Sequence, residues 1–591
     1  MSLEKKEFLV LRECSKGEGP LTQRDLTDAT GLSLGSINAA CKQLIEDGLL
    51  EGEYRITPRG MDALVPYKVD NAVIMAAGFS SRFAPISYDR PKGMLKVRGE
   101  ALIERQIRQL QEAGIEDITV VVGYMKEAFF HLEDKFGVRI VVNEEYVTRN
   151  NNSTLMLVRE RLGNTYVCSS DDYFTENVFS AYEYQAFYAA RYFPGKTDEY
   201  CITVGAGNRI VKVSYGGADA YGMLGHVYFD RTFSEGFVKI LEEEYDKPET
   251  APKLWEDIYV DHIRELEMVM QPFDEGVVYE FDSLDDLREF DHDFIDNVDS
   301  EIFDNICAVL GCPRSAIIDI APIKEGLTNL SFRFSCGDST YVYRHPGAGT
   351  EEIINRESEA YSQGVAKKLG IDETFIFEDP ERGWKLSAFI PDCIAFDYHD
   401  PDHVERGLAL VRKLHASGEV SAWSFDVYEK AEEIVVLLGS KSYPSFPDFA
   451  ELADRAKRLN DFVQSDGIER VLCHNDFYNP NFLVRDDVMY LVDWEYSAMS
   501  DYASDLGTFV CCSDYTVAEA EEVIAKYFGR PPTAAERRHC LAYVSISAYY
   551  WFVWALYKES TGDPVGNWLY LWYRAAKTYG KLALCLYEAM D

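Results

Sequence analysis

His474, Asp476 and Asn481 fall in an H-x-D-x4-N spacing, and Asp493 follows at the end of the strand-like run Tyr490-Leu491-Val492. These residue types supply a carboxylate that can take a hydroxyl's proton and oxygen donors that can hold a divalent cation against phosphates. That is the equipment of phosphoryl transfer. Both halves at this spacing make the most specific signal in the chain. A second set lies near the other end. The string Met75-Ala76-Ala77-Gly78-Phe79-Ser80-Ser81-Arg82-Phe83, then Arg90-Pro91-Lys92, directly follows the apolar run 72–75. Small residues at Ala77, Gly78 and Ser80 let backbone N–H groups approach a triphosphate, and Arg82 and Lys92 add positive charge for a phosphoryl transition state. A glycine turn alone is mostly turn chemistry; the combination with both bases carries more.

Elements must hold these residues in place. Apolar runs at 72–75, 118–122, 138–142 and 166–169 alternate with helical sequence such as 102–113, the pattern of a parallel sheet with crossover helices. Beyond about residue 298, strand-like 332–335 and 340–344 precede a helical stretch near Glu357, and mostly helical sequence runs from about 402 onward. Residues 1–66 read helix, glycine turn, helix and short strand, which resembles a winged helix-turn-helix. Its candidate recognition helix carries only Lys42 as a base and ends in Glu46 and Asp47, so docking is expected and DNA binding is not. The expected fold class is a multidomain α/β and α+β chain. It comprises a small winged-helix domain (1–66), a Rossmann-like nucleotidyltransferase domain with a mostly parallel sheet (69–295) and a bilobal protein-kinase-like domain (298–591).

With 591 residues the chain exceeds the roughly 250–300 residues one core can serve. A formal charge of -41 repels a phosphate backbone and argues against non-specific nucleic-acid binding, although acidity alone also simply keeps a protein soluble. Thirteen cysteines without a CxxC pair suggest neither zinc nor a disulfide framework, and fit reduced thiols in cytoplasm. The apolar stretch 543–557 falls short of the ~20 residues that span a bilayer and reads as a buried helix, so no membrane insertion is expected.

The glycine-loop string resembles the nucleoside-diphosphate-sugar pyrophosphorylase superfamily, and within it the bacterial choline-phosphate cytidylyltransferases, over most of 69–295. Those enzymes usually carry a second glycine where this chain has Ser80. The resemblance implies nucleotide contacts from Ala77, Gly78, Ser80 and Arg82, with Lys92 and Arg82 catalytic. It extends to Asn151, Asn152 and Ser153 in the 150–155 string, and makes Asp171 the first magnesium ligand, with Glu280 and Asp282 completing the site. On a strand, alternation would put those last two on one face. Any single acid among 100 is more often a solvated charge, and only the motifs raise these three above that. Tyr173, Trp255, Asp257 and Tyr259 are candidate walls for a quaternary ammonium, with core packing the competing reading.

The second set resembles choline and ethanolamine kinases and the aminoglycoside phosphotransferases over about 300–591. The resemblance implies Asp476 as the proton acceptor, and Asn481 and Asp493 as magnesium ligands. Thr328 and Asn329 fall in a phosphate-covering turn, and Arg344 stands where protein kinases use lysine, with Glu357 as its partner. No APE-ended activation segment follows Asp493, which disfavours a protein kinase. Trp551 and Trp554 share one helical face as in a choline-kinase W-x-x-W, and Trp494 and Glu495 adjoin the catalytic string. Aromatics at helical spacing are usually core; beside this loop a cation cage is the expectation. Together the resemblances imply a bifunctional enzyme that phosphorylates choline with ATP and transfers CMP from CTP to phosphocholine, with Mg2+ at both sites. Ethanolamine, another amino alcohol or a sugar phosphate is the alternative acceptor, and a metabolite-sensing DNA-binding regulator is the rival of another class. A homo-oligomer is left open.

Overall fold

The computed structural model describes residues 3–17, 21–281, 283–323, 329–346, 354–439, 446–485, 488–560 and 565–589. The chain divides into two compact units, Met1–Asp304 and Asn305–Asp591.

The first unit opens with helices Lys5–Ser15, Gln23–Thr30 and Leu34–Glu46, a two-stranded wing (Leu50–Glu51, Arg55–Ile56) and helix Pro58–Leu64. Thr22 caps the second helix reciprocally with Asp25, and Gly31 ends it in the left-handed conformation, at φ 67°. Phe8, Leu11, Leu26, Ile37, Leu44 and Leu64 form a small core. This winged-helix-like region is tied to the rest of its unit through aromatic rings. Phe8 packs on Tyr67 and Tyr184 at 4.9 and 5.4 Å, and the Tyr184 hydroxyl donates to the Leu3 carbonyl. On the candidate recognition helix, Lys42 lies 3.7 Å from Glu46.

The sheet of this unit has seven strands, in the order Val269–Pro272, Phe187–Val204, Ile210–Phe229, Thr165–Ser169, Asn71–Ala76, Ile118–Val122, Arg139–Val142. Asn71–Ala76 runs parallel to both its neighbours, as the alternating apolar runs predict. The hairpin Phe187–Val204/Ile210–Phe229 enters antiparallel, so the sheet is mixed. Its long, polar-rich strands lack a clean apolar period, which is why the sequence does not announce them.

The second unit starts with a five-stranded antiparallel sheet, in the order Ile317–Ile323, Asn329–Cys336, Ser339–Pro346, Trp384–Ala388, Phe375–Asp379, with helix Arg356–Lys368 beside it. Helices Pro401–His415, Val427–Leu438, Phe449–Ser465, Ala503–Cys512, Val517–Phe528, Ala534–Ser560 and Trp568–Glu588 make up the larger lobe. Helix Ala534–Ser560 is long and apolar enough to cross a membrane by composition, but 94% of its most apolar window is buried within the unit, as in a core helix. Two short antiparallel strand pairs, Val471–Cys473 with Ala498–Ser500 and, nested between them in sequence, Phe482–Val484 with Met489–Leu491, flank residues 474–481 and 492–497.

Candidate functional site

In the first unit a cavity of about 200 Å³ opens at the end of strand Asn71–Ala76. It is lined by Ala77, Gly78, Ser80, Lys92, Asn143, Arg149, Asn151, Thr154 and Asp171, among others. A Cβ on Gly78 would meet nothing, so its backbone faces open space, as a loop that cradles phosphate requires. Ser80 sits at φ 52°. That left-handed conformation suits glycine and costs another residue roughly 1–2 kcal/mol, so serine here holds glycine's geometry at a cost. Lys92 is buried and bonds Asp171 at 2.5 Å. Arg149 Nη1 lacks a hydrogen-bond partner and brings a further cation, which sequence reading missed. Arg82 is exposed in the turn Ser81–Phe83 and does not line the cavity.

Asn151 lines the cavity, donating to Glu256 at 3.1 Å and accepting from the Trp255 N–H. Asn152 and Ser153, expected at the nucleotide, turn away from it. Asn152 donates to the Thr250 and Lys253 carbonyls, and Ser153 donates to the Asn150 carbonyl and accepts from Asn143. Helix Asn152–Leu157 begins here, so consecutive side chains point to different faces and the latter two brace the loop.

Asp171 and Asp172 also diverge. Asp172 is 1% exposed, neither of its oxygens has a hydrogen-bond partner, and Glu280 lies opposite it in strand register. Burial, then the charges of Glu280 and Asp171, hold its carboxyl well above the usual range. A buried carboxylate without donors beside two more acids is a donor set that fits a divalent cation. Gly225 makes room for it: a Cβ there would overlap the Asp172 carboxylate. Asp282 lies outside the described residues.

The expected ammonium walls are corrected. Trp255 and Tyr259 lie in the hydrophobic core, Trp255 stacked on Tyr188 at 5.8 Å and Tyr259 against Phe233. Helix Trp255–Asp261 turns that face inward because its apolar residues recur at helical spacing. Tyr173 is buried with the Arg105 guanidinium 4.6 Å over its ring, so its cation-binding face is taken. Asp257 accepts from Tyr200 of the long hairpin at 3.1 Å and also from the Leu254 N–H.

The second unit encloses a cavity of about 700 Å³ lined by Arg344, Lys385, Asp476, Asn481, Asp493 and Glu495 and by Tyr478, Tyr496, Trp551, Trp554, Trp568 and Trp572. The 474–481 string is held from behind. Asp505 accepts from the His474 and Asn475 N–H groups at 2.9 and 2.6 Å. His474 is buried, and burial lowers its pKa, so it is neutral; Nε2 donates to the Val492 carbonyl while Nδ1 accepts from the Asp476 N–H. Asn481 donates to Asp476 Oδ2 at 2.8 Å, and Oδ1 has no partner. Burial and the Asp493 charge raise the Asp476 carboxyl well above its usual range, which suits a proton acceptor. Asn475 and Asp493 both take left-handed backbone, at φ 65° and 66°.

Arg344 pairs with Glu359, not with Glu357, at 2.6 Å. Glu357 faces solvent; two residues along helix Arg356–Lys368 is a rotation of roughly 200°, which carries Glu359 to the inner face. Trp494, expected at the substrate, is fully buried, donates to the Leu491 carbonyl and packs edge-on against His474. In the loop after strand Met489–Leu491, Asp493 and Glu495 line the cavity while Trp494 lies in the core. Thr328 lies outside the described residues, and of Asn329 the backbone is described, at the start of its strand.

Trp551 lies 5.6 Å from Trp554 and stacks on Trp572 at 5.7 Å, and Trp572 stacks on Trp568 at 5.3 Å. Trp568 and Trp572, one turn apart on helix Trp568–Glu588, were missed; the signal was their spacing.

Fold and clefts define a nucleotidyltransferase joined to a phosphotransferase of kinase type. Three family models match: MobA-like NTP transferase domain over 72–174, choline/ethanolamine kinase over 403–559 and MarR family over 2–54. The 2-aminoethylphosphonate cytidylyltransferase of Lancefieldella rimae is 34% identical over 229 residues, 38% of this chain and 93% of that protein. The choline-phosphate cytidylyltransferase of Streptococcus pneumoniae is 32% identical over 220 residues, 37% of this chain and 96% of that protein. Protein LicA of Haemophilus influenzae is 23% identical over 256 residues, 41% of this chain and 94% of that protein. The chain belongs to the family of these cytidylyltransferases, fused to a choline/ethanolamine-kinase-like unit and preceded by a winged-helix region. It is a bifunctional kinase and cytidylyltransferase acting on a small alcohol and its phosphate.

Proposed function

We propose that the alcohol is choline and that the chain makes CDP-choline, phosphorylating choline with ATP and transferring CMP from CTP to phosphocholine. The observation that carries this reading is the aromatic cage sharing one cavity with Asp476, Asn481 and Asp493. Tryptophan faces attract a quaternary ammonium, which has no N–H to donate. The ring N–H groups of Trp551 and Trp572 are turned to protein, to Thr508 and to Cys512 Sγ, so neither offers the ligand a hydrogen bond.

In this reading Asp476 orients the choline hydroxyl and takes its proton, and Asn481 and Asp493 hold Mg2+. In the first unit the 77–80 backbone, Lys92 and Arg149 receive the triphosphate of CTP, and Asp171, Asp172, Glu280 and Asp282 are the Mg2+ carboxylates. Mg2+ supplies neutralisation of phosphate charge at both sites. The winged-helix region serves as a docked module and not a DNA reader, since Phe8 is engaged and Lys42 has an acidic partner. Thirteen free cysteines support a reducing cytoplasm.

The test is to incubate purified protein with choline, ATP, CTP and Mg2+ and follow products by mass spectrometry. Phosphocholine and then CDP-choline are expected. Faster turnover of ethanolamine, or of 2-aminoethylphosphonate with CTP alone, would replace choline as the substrate.

A further inference from the structure

Behind the phosphate end of the second cavity lies an ion cluster larger than one base and one acid. Glu359 is completely buried and meets four donor atoms. Arg344 Nη1 and Lys385 Nζ lie 2.6 and 3.3 Å from Oε1; Arg344 Nη2 and Arg356 Nη1 lie 2.8 and 3.0 Å from Oε2. Three cations thus face one carboxylate. Glu378, 3.6 Å from Arg344, does not balance them, because burial and the Glu359 charge raise its carboxyl to about 8 and keep it protonated at neutral pH. On the cavity side Asp493 lies 3.7 Å from Arg344, and Asp372 shares the lining with Lys385. Arg344 and Lys385 line the cavity, whereas Arg356 does not. They are opposed in register on strands Ser339–Pro346 and Trp384–Ala388, and the Lys385 side chain is 9% exposed. Arg344 with Arg356 would already satisfy Glu359; a third buried cation that lines the cavity carries a desolvation cost, which an anionic ligand there would offset.

We propose that Lys385 is a positioning residue for the phosphates of the nucleotide: it holds Glu359 Oε1 beside Arg344, keeps the Arg344 guanidinium turned toward Asp493, and adds charge that draws the triphosphate in. Arg344 Nη1 stands 3.7 Å from Asp493, at the end of the cavity that holds Asp476 and Asn481. The inference rests on the ATP-dependent kinase reading of this unit.

The experiment compares Lys385→Met and Lys385→Arg in the full chain. It measures ATP binding by calorimetry without acceptor, KM for ATP and for choline, CMP transfer and melting temperature. Lys385→Met should weaken ATP binding and raise the ATP KM by about 10-fold, as losing a charge-assisted contact does. The choline KM and CMP transfer should stay within about 2-fold, and Lys385→Arg, which keeps the charge, should return the ATP KM to within about 3-fold of the parent. If methionine prevents folding, Lys385→Gln takes its place, with the same expectation. A lowered melting temperature with unchanged ATP binding and KM would make Lys385 a packing residue and overturn the inference while the kinase reading stood. A parent chain that neither binds ATP nor phosphorylates any alcohol would remove the reading and the inference together.

Discussion

The two clefts both serve a nucleoside triphosphate, yet they carry their positive charge in opposite places. In the first unit it sits at the open end of a sheet, on Lys92 and Arg149 around an exposed glycine loop, in a cavity of about 200 Å³. In the second it is buried behind the cavity in the Arg344, Arg356 and Lys385 cluster around Glu359, and the cavity of about 700 Å³ gives its remaining wall to aromatic rings. A loop can be assembled from one stretch of chain, whereas a buried cluster needs strand, helix and strand to converge. The first site should therefore fail by local backbone change, and the second by loss of single long side chains.

The sharpest break is Asp476→Asn. Removing the proton acceptor should lower alcohol phosphorylation by about 10³-fold, while CMP transfer from CTP to supplied phosphocholine continues at the parent rate. Loss of both activities in a folded variant would tie the two sites together. The reciprocal change is Gly225→Ala, which drives a methyl into the Asp172 carboxylate. CMP transfer should fall by about 10- to 100-fold, equivalent to about 1.4–2.7 kcal/mol of barrier from a displaced carboxylate, with phosphorylation intact; an active alanine variant would detach Asp172 from the chemistry. Trp551→Ala or Trp554→Ala should raise the choline KM by about 10- to 30-fold and the ATP KM by less than about 2-fold, as loss of a desolvated cation-π contact predicts. Equal rises would return these rings to plain core.

The smallest effect concerns pH. Burial raises the Glu256 carboxyl to about 7, against the pull of its Asn151 and Tyr188 donors. A carboxyl whose folded value lies above its unfolded one binds its proton more tightly in the folded state, so its contribution is full at low pH and is lost as pH rises from about 4.5 to about 7. Glu256→Gln should flatten the fall in stability of the first unit across that window by on the order of 1 kcal/mol, measured as denaturation midpoints at pH 4.5, 6 and 7.5. Parallel curves for parent and variant would contradict the shift.

Contiguity explains what is legible in the sequence. Strands such as Ile118–Val122 and the 474–493 string are local patterns, and period or spacing is enough to find them. Glu359 escapes such a reading because helix phase, unknown to within two residues from sequence, decides which glutamate faces inward. Trp255 and Trp494 pass for ligand walls because an aromatic beside a motif looks the same whether it points into a cavity or a core. Lys385, Trp568 and Trp572 reach their cavity from segments distant in sequence, and the one-turn spacing of the two tryptophans marks a shared helix face without telling which cavity that face meets.

The tyrosine pair that receives Phe8 also bears on how this gene can be cut into pieces. Tyr67 and Tyr184 stack at 5.6 Å beneath the first helix, and Asn164 holds the Pro66 and Lys68 carbonyls from the sheet side. A recombinant fragment that starts after residue 66 would strip away that lid and present an oily scar to solvent, inviting precipitation during purification. A fragment ending at Asp304 keeps the lid and leaves the scar closed. The yield of soluble protein from the two truncations, expressed side by side, would then measure how far the winged helix has become upholstery for the enzyme it precedes.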